Sequence, residues 1–179
     1  MSTNWRISSF NGALLASYFI PTWAMIAWQI VATPVRGLFE RPNVSAAFYL
    51  GDQLQWGAAG LIRAAWFIAL GRLTVVGFFA LFLVLLCRPK IRIAGGANEA
   101  LSIALLLGSV MSFALMLMAS KVGEAEALRL HATELLMMLG TAIVLVVEGP
   151  AKVPAAVDVP AEPLQEPLPL QEPQLLNNG

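Results

Sequence analysis

Long apolar runs alternate with short polar connections along this chain. Four runs of about twenty residues stand out, at 13–33, 68–87, 100–120 and 128–147. A helix of about 20 residues covers the ~30 Å hydrocarbon core of a bilayer. Backbone groups have no water to bond to in that core, so a spanning run must be helical. The pattern therefore predicts an all-α, polytopic integral membrane protein with four transmembrane helices in one domain, residues 13–149.

The second run ends most sharply. An uncharged stretch closes at Cys87 and is followed by Arg88-Pro89-Lys90-Ile91-Arg92. Proline cannot continue the helix, and basic side chains are favoured at the lipid headgroups. We therefore expect Arg88, Lys90 and Arg92 to anchor this end of the second span at the membrane interface.

The connection between the first two spans mixes charged and aromatic residues. A short polar segment, 1–12, precedes the first span, whereas this connection is long and carries Arg36, Glu40 and Trp56 among others. Such a mixture is too apolar for a free loop and too polar to span. It favours an amphipathic helix lying on the membrane surface at about residues 45–60, with its centre at 45–56. An irregular loop packed on the spans fits the same composition.

The C-terminal tail, 150–179, differs in kind from the rest. It is rich in proline and glutamate, and Pro-Leu-Gln-Glu-Pro occurs twice, at 163–167 and 169–173. A segment with so little apolar area cannot form a core and favours extended conformers. We expect a disordered tail, with the repeated motif as a candidate binding site for a peptide-recognising partner.

Composition supports the membrane class and excludes nucleic-acid binding. Of 179 residues, 58% are hydrophobic and 12% charged, against about 25% charged in soluble domains. The formal net charge is zero, so no basic surface exists to attract nucleic acid. We expect the five tryptophans to lie mostly where spans meet the interface.

Four spans place both termini on one side of the membrane. The short loop 88–92 lies on that side, is basic and contains no acid. Basic residues in short loops favour the cytoplasm. We therefore predict cytoplasmic termini in a bacterial inner membrane.

Polar residues of three spans are predicted to share one depth. Spans two and four begin on the same side, and span one ends there, so Gln29, Arg72, His131 and Glu134 fall in one shallow layer. Ionisable groups are costly inside a membrane and are candidate functional residues by default. An Arg72–Glu134 ion pair would reduce that cost.

This layer has other interpretations. Arg72 and Glu134 could each extend separately to the headgroups, or the layer could form a proton or ion path or a ligand site. His131 is the only histidine, so it cannot supply both axial ligands of a bis-histidine haem. Methionines such as Met137 and Met138 are more typical of gap filling than of metal binding. We predict neither a cofactor nor a metal.

Small residues line one face of the third span. Ala104, Gly108 and Ser112 recur every four residues, a spacing that lets helices approach closely. The chain has neither the Gly-x-Ser-x-Gly pattern of a nucleophilic serine nor a Gly-rich phosphate loop. We therefore expect a non-enzymatic accessory or scaffold subunit that contacts lipid and packs against other membrane proteins, or against its own copies, with respiratory or photosynthetic complexes as candidate hosts. The alternative is a small oligomeric transporter or channel that uses the polar layer.

Overall fold

The structure is a computed structural model and describes residues 6–88 and 96–149. Within these ranges the chain is helical, without strands. Four long helices are accompanied by two short ones and a π-helical turn. In chain order the elements are α1 (Ile7–Ala32), α2 (Pro34–Phe39), α3 (Val44–Phe48), the π turn (Tyr49–Gln53), α4 (Ala58–Leu86), α5 (Gly96–Val122) and α6 (Ala125–Glu148).

The four long helices are each long and apolar enough to cross a membrane. The prediction of an all-α chain with four such helices is confirmed. Each long helix begins before its apolar run, most of all α4, which begins at Ala58 although its apolar run begins at residue 68. Arginine is a good helix former, so Arg63 does not interrupt the helix; its side chain is exposed.

The four long helices form a closed ring. Each packs on the next in the order α1, α4, α5, α6, and α6 returns to α1. The ring closes at one end where Arg6 Nε donates to Glu148 Oε2 at 3.2 Å and the backbone N–H of Ser8 donates to Glu148 Oε1 at 3.2 Å. The first long helix therefore begins where the last one ends, as an even number of spans requires.

The core of the bundle follows the helical period. On α1 the fully buried side chains of Phe19, Trp23, Ala27 and Ile30 fall on one stripe. Phe19 stacks on Phe79 of α4, with ring centroids 5.7 Å apart. This stripe brings Trp23 into the middle of the bundle.

The connection between α1 and α4 is helical over most of the segment predicted as a surface helix, and one face of it packs against the bundle. The helical segment is divided between α3 and the π turn, and residues 58–60 already belong to α4. Ser45, Ala46 and Ala47 are almost completely buried. Because these side chains are small, α3 can lie close against the long helices. The alternative of an irregular packed loop is wrong for residues 44–53, which are helical, and the position of this segment at the membrane surface stays a prediction.

A glycine sets how closely the connection approaches α1. A Cβ atom on Gly37 would lie 2.7 Å from the Ile30 Cα and 2.8 Å from its nitrogen. Since real Cβ atoms do not come this close to backbone, only glycine allows α2 to lie directly on the end of α1. This close approach positions the residues that follow α2.

Several predicted features lie outside the described residues. They are the anchors Lys90 and Arg92 and the Pro-rich tail, residues 150–179. Arg88, the remaining predicted anchor, is exposed just after α4.

Candidate functional site

The Glu134 carboxylate on α6 is the centre of a buried polar network. It is 3% exposed and receives groups from three helices. Trp23 Nε1 of α1 donates to Oε1 at 2.9 Å, and Ser112 Oγ of α5 donates to Oε2 at 3.3 Å. His131 Nδ1, one turn earlier on α6, lies 2.9 Å from Oε2. Together these groups provide the hydrogen bonds that a buried carboxylate requires.

Arg72 of α4 is the cationic member of the same network. Its side chain is fully buried, and Nη2 donates to Asn43 Oδ1 at 2.8 Å. Its guanidinium carbon lies 5.4 Å from the centroid of the Trp23 ring, within cation–π range. Among the described residues, Nε and Nη1 have no hydrogen-bond partner. Because Arg72 is enclosed and tied to Asn43, it does not extend to the headgroups, which was the alternative interpretation.

The predicted direct ion pair between Arg72 and Glu134 is wrong. The structure shows no salt bridge between the two side chains, both of which it describes; instead Trp23 contacts each of them. The indole comes from α1, which packs against both α4 and α6. The two charges therefore attract through space without touching. In a medium of low dielectric constant, such an attraction is still substantial.

The connection between α1 and α4 contacts the network through two residues, Pro42 and Asn43. Asn43 Nδ2 donates to the Gly37 carbonyl at 3.1 Å, while its Oδ1 receives Arg72. His131 Nε2 lies 3.3 Å from the Pro42 carbonyl oxygen. Adjacent residues of the connection thus contact both the cationic and the acidic part of the network.

Gln29, the fourth predicted member of the layer, does not belong to this network. Its side chain is exposed. Successive helical residues are rotated by about 100°. Because Ala27 and Ile30 point inward, Gln29 points away from the bundle. The prediction compared depth along the membrane normal and ignored the direction in which α1 faces.

Sequence reasoning missed Trp23 and Asn43. Tryptophans were expected at the interface, but Trp23 is fully buried among the helices. One signal was available: Trp23 lies four residues after Phe19 and four before Ala27, on the inward stripe of α1. Asn43 follows no periodic pattern, so no comparable signal could have identified it.

The small-residue face of α5 is used inside the bundle. Ala104, Gly108 and Ser112 are buried. A Cβ on Gly108 would lie 2.5 Å from Met138 Sδ of α6 and 3.4 Å from Val75 Cγ1 of α4. The spacing therefore serves close packing within this chain. It does not present a free face to another protein, which corrects the use expected for it.

One cavity adjoins the network at Pro42, and a second lies between α1 and α6. The loop cavity, about 170 Å³, lies between the connection and the start of α6, and Arg41 pairs with Glu126 at its edge. The seam cleft, about 340 Å³, lies between α1 and α6 and includes Tyr18. The loop cavity is lined by Arg41, Pro42, Val44, Glu124, Glu126, Ala127 and Leu130. The seam cleft is lined by Asn11, Leu14, Leu15, Tyr18, Leu136, Met137, Gly140 and Thr141.

The chemistry of the network is that of charge and protons. Among the described residues, no group of three or more His, Cys, Asp or Glu side chains could hold a metal ion. Ser112 bonds to a carboxylate and not to an imidazole. What the arrangement can do is hold opposite charges in the bundle and share a proton between His131 and Glu134. No family model, curated protein or solved structure matches this chain, so its function has to be argued from this site and from the surfaces around it.

Proposed function

We propose that this chain is a small, non-enzymatic integral membrane protein that packs against another membrane protein as an accessory or scaffold subunit. The observation that supports this is the seam between α1 and α6. The two helices are tied together at Arg6–Glu148 near one end and at Trp23–Glu134 further along. Between those two contacts the helices leave the seam cleft, about 340 Å³ in volume.

The lining of the seam cleft favours a protein helix over a lipid chain. Tyr18, 40% exposed, and the half-buried Asn11 contribute polar atoms to an otherwise mainly apolar cleft. Tyr18 lies eleven residues after the start of α1, which is roughly 16 Å along the helix. An acyl chain cannot form hydrogen bonds with a phenol or an amide, whereas a neighbouring transmembrane helix can. We therefore propose a transmembrane helix of a partner protein as the occupant.

The host assembly and the orientation belong to the same proposal. We propose a bacterial inner membrane with both termini in the cytoplasm, and respiratory or photosynthetic complexes as the first assemblies to search. The basic loop 88–92 supports the orientation. The repeated Pro-Leu-Gln-Glu-Pro motif of the tail offers a second contact for such a partner.

Filling the seam cleft tests the proposal. Gly140 lines the cleft, and a Cβ there meets nothing within 4 Å, so the side chain of Gly140→Leu has room to extend into the cleft. Gly77→Leu is the matched control, because Gly77 is exposed on α4 and its Cβ position is equally open. Each variant is purified from its membrane in mild detergent to see which proteins co-purify. In a second experiment, a photoreactive residue that replaces Tyr18 is crosslinked to whatever lies in the cleft.

The expected result is a crosslink from Tyr18 to one integral membrane protein, which also co-purifies. Gly140→Leu should abolish both signals and Gly77→Leu neither. The proposal is contradicted if Tyr18 crosslinks only to lipid, or if both glycine variants lose the partner equally.

A small oligomeric transporter or channel is the second candidate, because one observation favours it. His131 lies between the Pro42 carbonyl, at the wall of the loop cavity, and the Glu134 carboxylate in the bundle. A proton could therefore pass from the loop cavity toward Glu134. In liposomes carrying a pH-sensitive dye, Glu134→Gln should abolish proton flux if this function is right, and Glu99→Gln, an exposed glutamate of α5, should not. Equal flux through wild-type protein and Glu134→Gln would exclude it.

A further inference from the structure

The two ring nitrogens of His131 are both engaged. Nδ1 lies 2.9 Å from Glu134 Oε2, and Nε2 lies 3.3 Å from the Pro42 carbonyl oxygen. A carbonyl oxygen can only accept a hydrogen bond. Nε2 must therefore carry a hydrogen for the contact with Pro42 to be favourable.

The hydrogen on Nε2 determines how many protons the pair holds. If the imidazole is neutral, Nδ1 has no hydrogen and must accept, so Glu134 is a protonated carboxylic acid that donates to it. If Glu134 is ionised, Nδ1 must donate and the ring is an imidazolium. In both cases the pair holds one proton more than a neutral imidazole beside an ionised carboxylate.

We propose that His131 and Glu134 form a proton-binding site, and that the bound proton holds the connection between α1 and α4 against α6. When the proton leaves for water in the loop cavity, the ring keeps one hydrogen, on Nδ1, where it donates to the ionised Glu134. Nε2 then presents a lone pair to the Pro42 oxygen. Two facing lone pairs repel, so Pro42 moves away and the loop cavity widens. This proposal does not depend on the partner helix proposed above.

The surrounding charges make the proton releasable. Arg72 of α4 lies beyond the Trp23 ring, and its positive charge opposes an additional proton on the pair. Tyr18 of α1 is the other titratable group near Glu134. From α5 the Ser112 hydroxyl donates to the carboxylate, which stabilises the ionised form. Against these contributions stands the contact with Pro42, which only the protonated pair can make.

The loop cavity supplies the remaining charged neighbours. Its edge is formed by the Arg41–Glu126 ion pair, whose side chains are 80% and 61% exposed, and Glu124 also lines it. These charged groups are exposed and lie next to Pro42. Charged side chains at its edge favour water in the cavity, and that water would accept a released proton.

A single label reports on this site, because His131 is the only histidine in the chain. Full-length protein labelled with 15N-histidine is placed in liposomes, and solid-state NMR shows which ring nitrogens carry hydrogen as pH is varied. Infrared difference spectra over the same range show whether a carboxylic acid is present, and Glu134→Gln assigns that band. Circular dichroism defines the pH range in which the helices persist.

The expected low-pH state is either an imidazolium, or a ring with hydrogen on Nε2 beside a protonated carboxyl. Raising the pH should convert it in one step to a ring with hydrogen on Nδ1 and an ionised Glu134. In Glu134→Gln the amide can donate to Nδ1, so the ring should stay neutral with hydrogen on Nε2 and show no such step. Glu99→Gln should behave as wild type. A ring with hydrogen on Nδ1 and an ionised carboxylate throughout the folded range would overturn the proposal.

Reactivity of a cysteine in the loop cavity tests the movement separately. With Cys87 replaced by Ser, Val44→Cys reports on the cavity, and Asp52→Cys, in the exposed part of the π turn, calibrates the pH dependence of the thiol itself. The ratio of the two labelling rates should rise several-fold across the transition of His131. A ratio that stays constant while the ring changes its protonation would contradict the coupling to Pro42.

Discussion

Trp23 donates a hydrogen bond of 2.9 Å from its indole nitrogen to the Glu134 carboxylate. The face of the same ring lies 5.4 Å from the Arg72 guanidinium carbon. An aromatic ring is negative on its face and positive at its edge, so this orientation suits the cation and the anion at once. One side chain of α1 thereby connects the charged residues of α4 and α6.

Replacing the indole of Trp23 by a phenyl ring should destabilise the bundle. Trp23→Phe keeps an aromatic face toward Arg72 but leaves the buried Glu134 carboxylate with one donor fewer. Hydrogen bonds to charged groups contribute about 1.5–3 kcal/mol, and the smaller phenyl ring also leaves a cavity in the core, so we expect the free energy of unfolding to fall by at least that amount. Titration with SDS in mixed micelles measures it. Trp28→Phe is the matched control, because Trp28 is 69% exposed on the same helix. Equal effects of the two substitutions would mean that the bond to Glu134 contributes nothing.

Replacing Glu134 as well as Arg72 should restore only part of the stability that is lost when Arg72 alone is replaced. At a pH where the His131–Glu134 pair has lost its additional proton, Arg72→Leu leaves the ionised buried carboxylate without its cation, at a cost of about 3–5 kcal/mol. Adding Glu134→Met removes that charge, but Asn43 and His131 each still lack a partner, so the double variant should recover part of the loss. SDS titration again gives the free energies, with Arg63→Leu, exposed on the same helix, as control.

Two other outcomes would each contradict this arrangement. Complete recovery in the double variant would indicate the direct ion pair that the structure does not show. A harmless Arg72→Leu would mean that the guanidinium reaches the headgroups and is not held in the bundle.

The helices and part of the network follow from the sequence. Apolar runs of spanning length can only be helices in lipid, and a charge such as Arg72 or Glu134 inside such a run must be enclosed or compensated. The separation of His131 and Glu134 by three residues places both on one face of α6. These are local properties that can be predicted from the order of residues along the chain.

The remaining features depend on how the helices face one another. Gln29 points outward, because its direction follows from the packing of α1 and not from its position along the chain. Trp23 replaces a direct ion pair because α1 packs against both α4 and α6. The contact of Asn43 with Arg72 spans 29 residues and depends on the fold of the connection. Local sequence preferences cannot predict a contact between residues so far apart in the chain.

Even the smallest side chain at position 37 should lower the free energy of unfolding. Gly37→Ala introduces a Cβ 2.7 Å from the Ile30 Cα, so α2 must move away from α1. Moving backbone in a packed region costs about 1–3 kcal/mol. Because the Gly37 carbonyl accepts from Asn43, hydrogen exchange in α3 should also accelerate. Gly51→Ala, where a Cβ meets nothing within 4 Å, should neither lower the free energy of unfolding nor accelerate the exchange. An unaffected Gly37→Ala would mean that α2 does not lie on α1.

Residues 88–98 and 151–179 should lie on one side of the membrane. Four spanning helices require it, and the contact of Arg6 with Glu148 at one end of the ring supports it. Cysteines at Gly95 and Asn178, with Cys87 replaced by Ser, are exposed to a membrane-impermeant reagent in cells and in inverted vesicles. Both should be labelled only in inverted vesicles. Labelling of the two from opposite faces would show that one of the four helices does not span.

The most direct test of the buried network is a double-mutant cycle between Trp23 and Glu134. The free energy of unfolding is measured for wild type, Trp23→Phe, Glu134→Met and the double variant in the same mixed micelles. Residues in contact show interaction energies of about 0.5–3 kcal/mol, whereas independent sites add within about 0.3–0.5 kcal/mol. We predict a coupling of at least about 1 kcal/mol, since each single substitution breaks the same buried hydrogen bond. Additive effects of the two substitutions would contradict the contact on which the network depends.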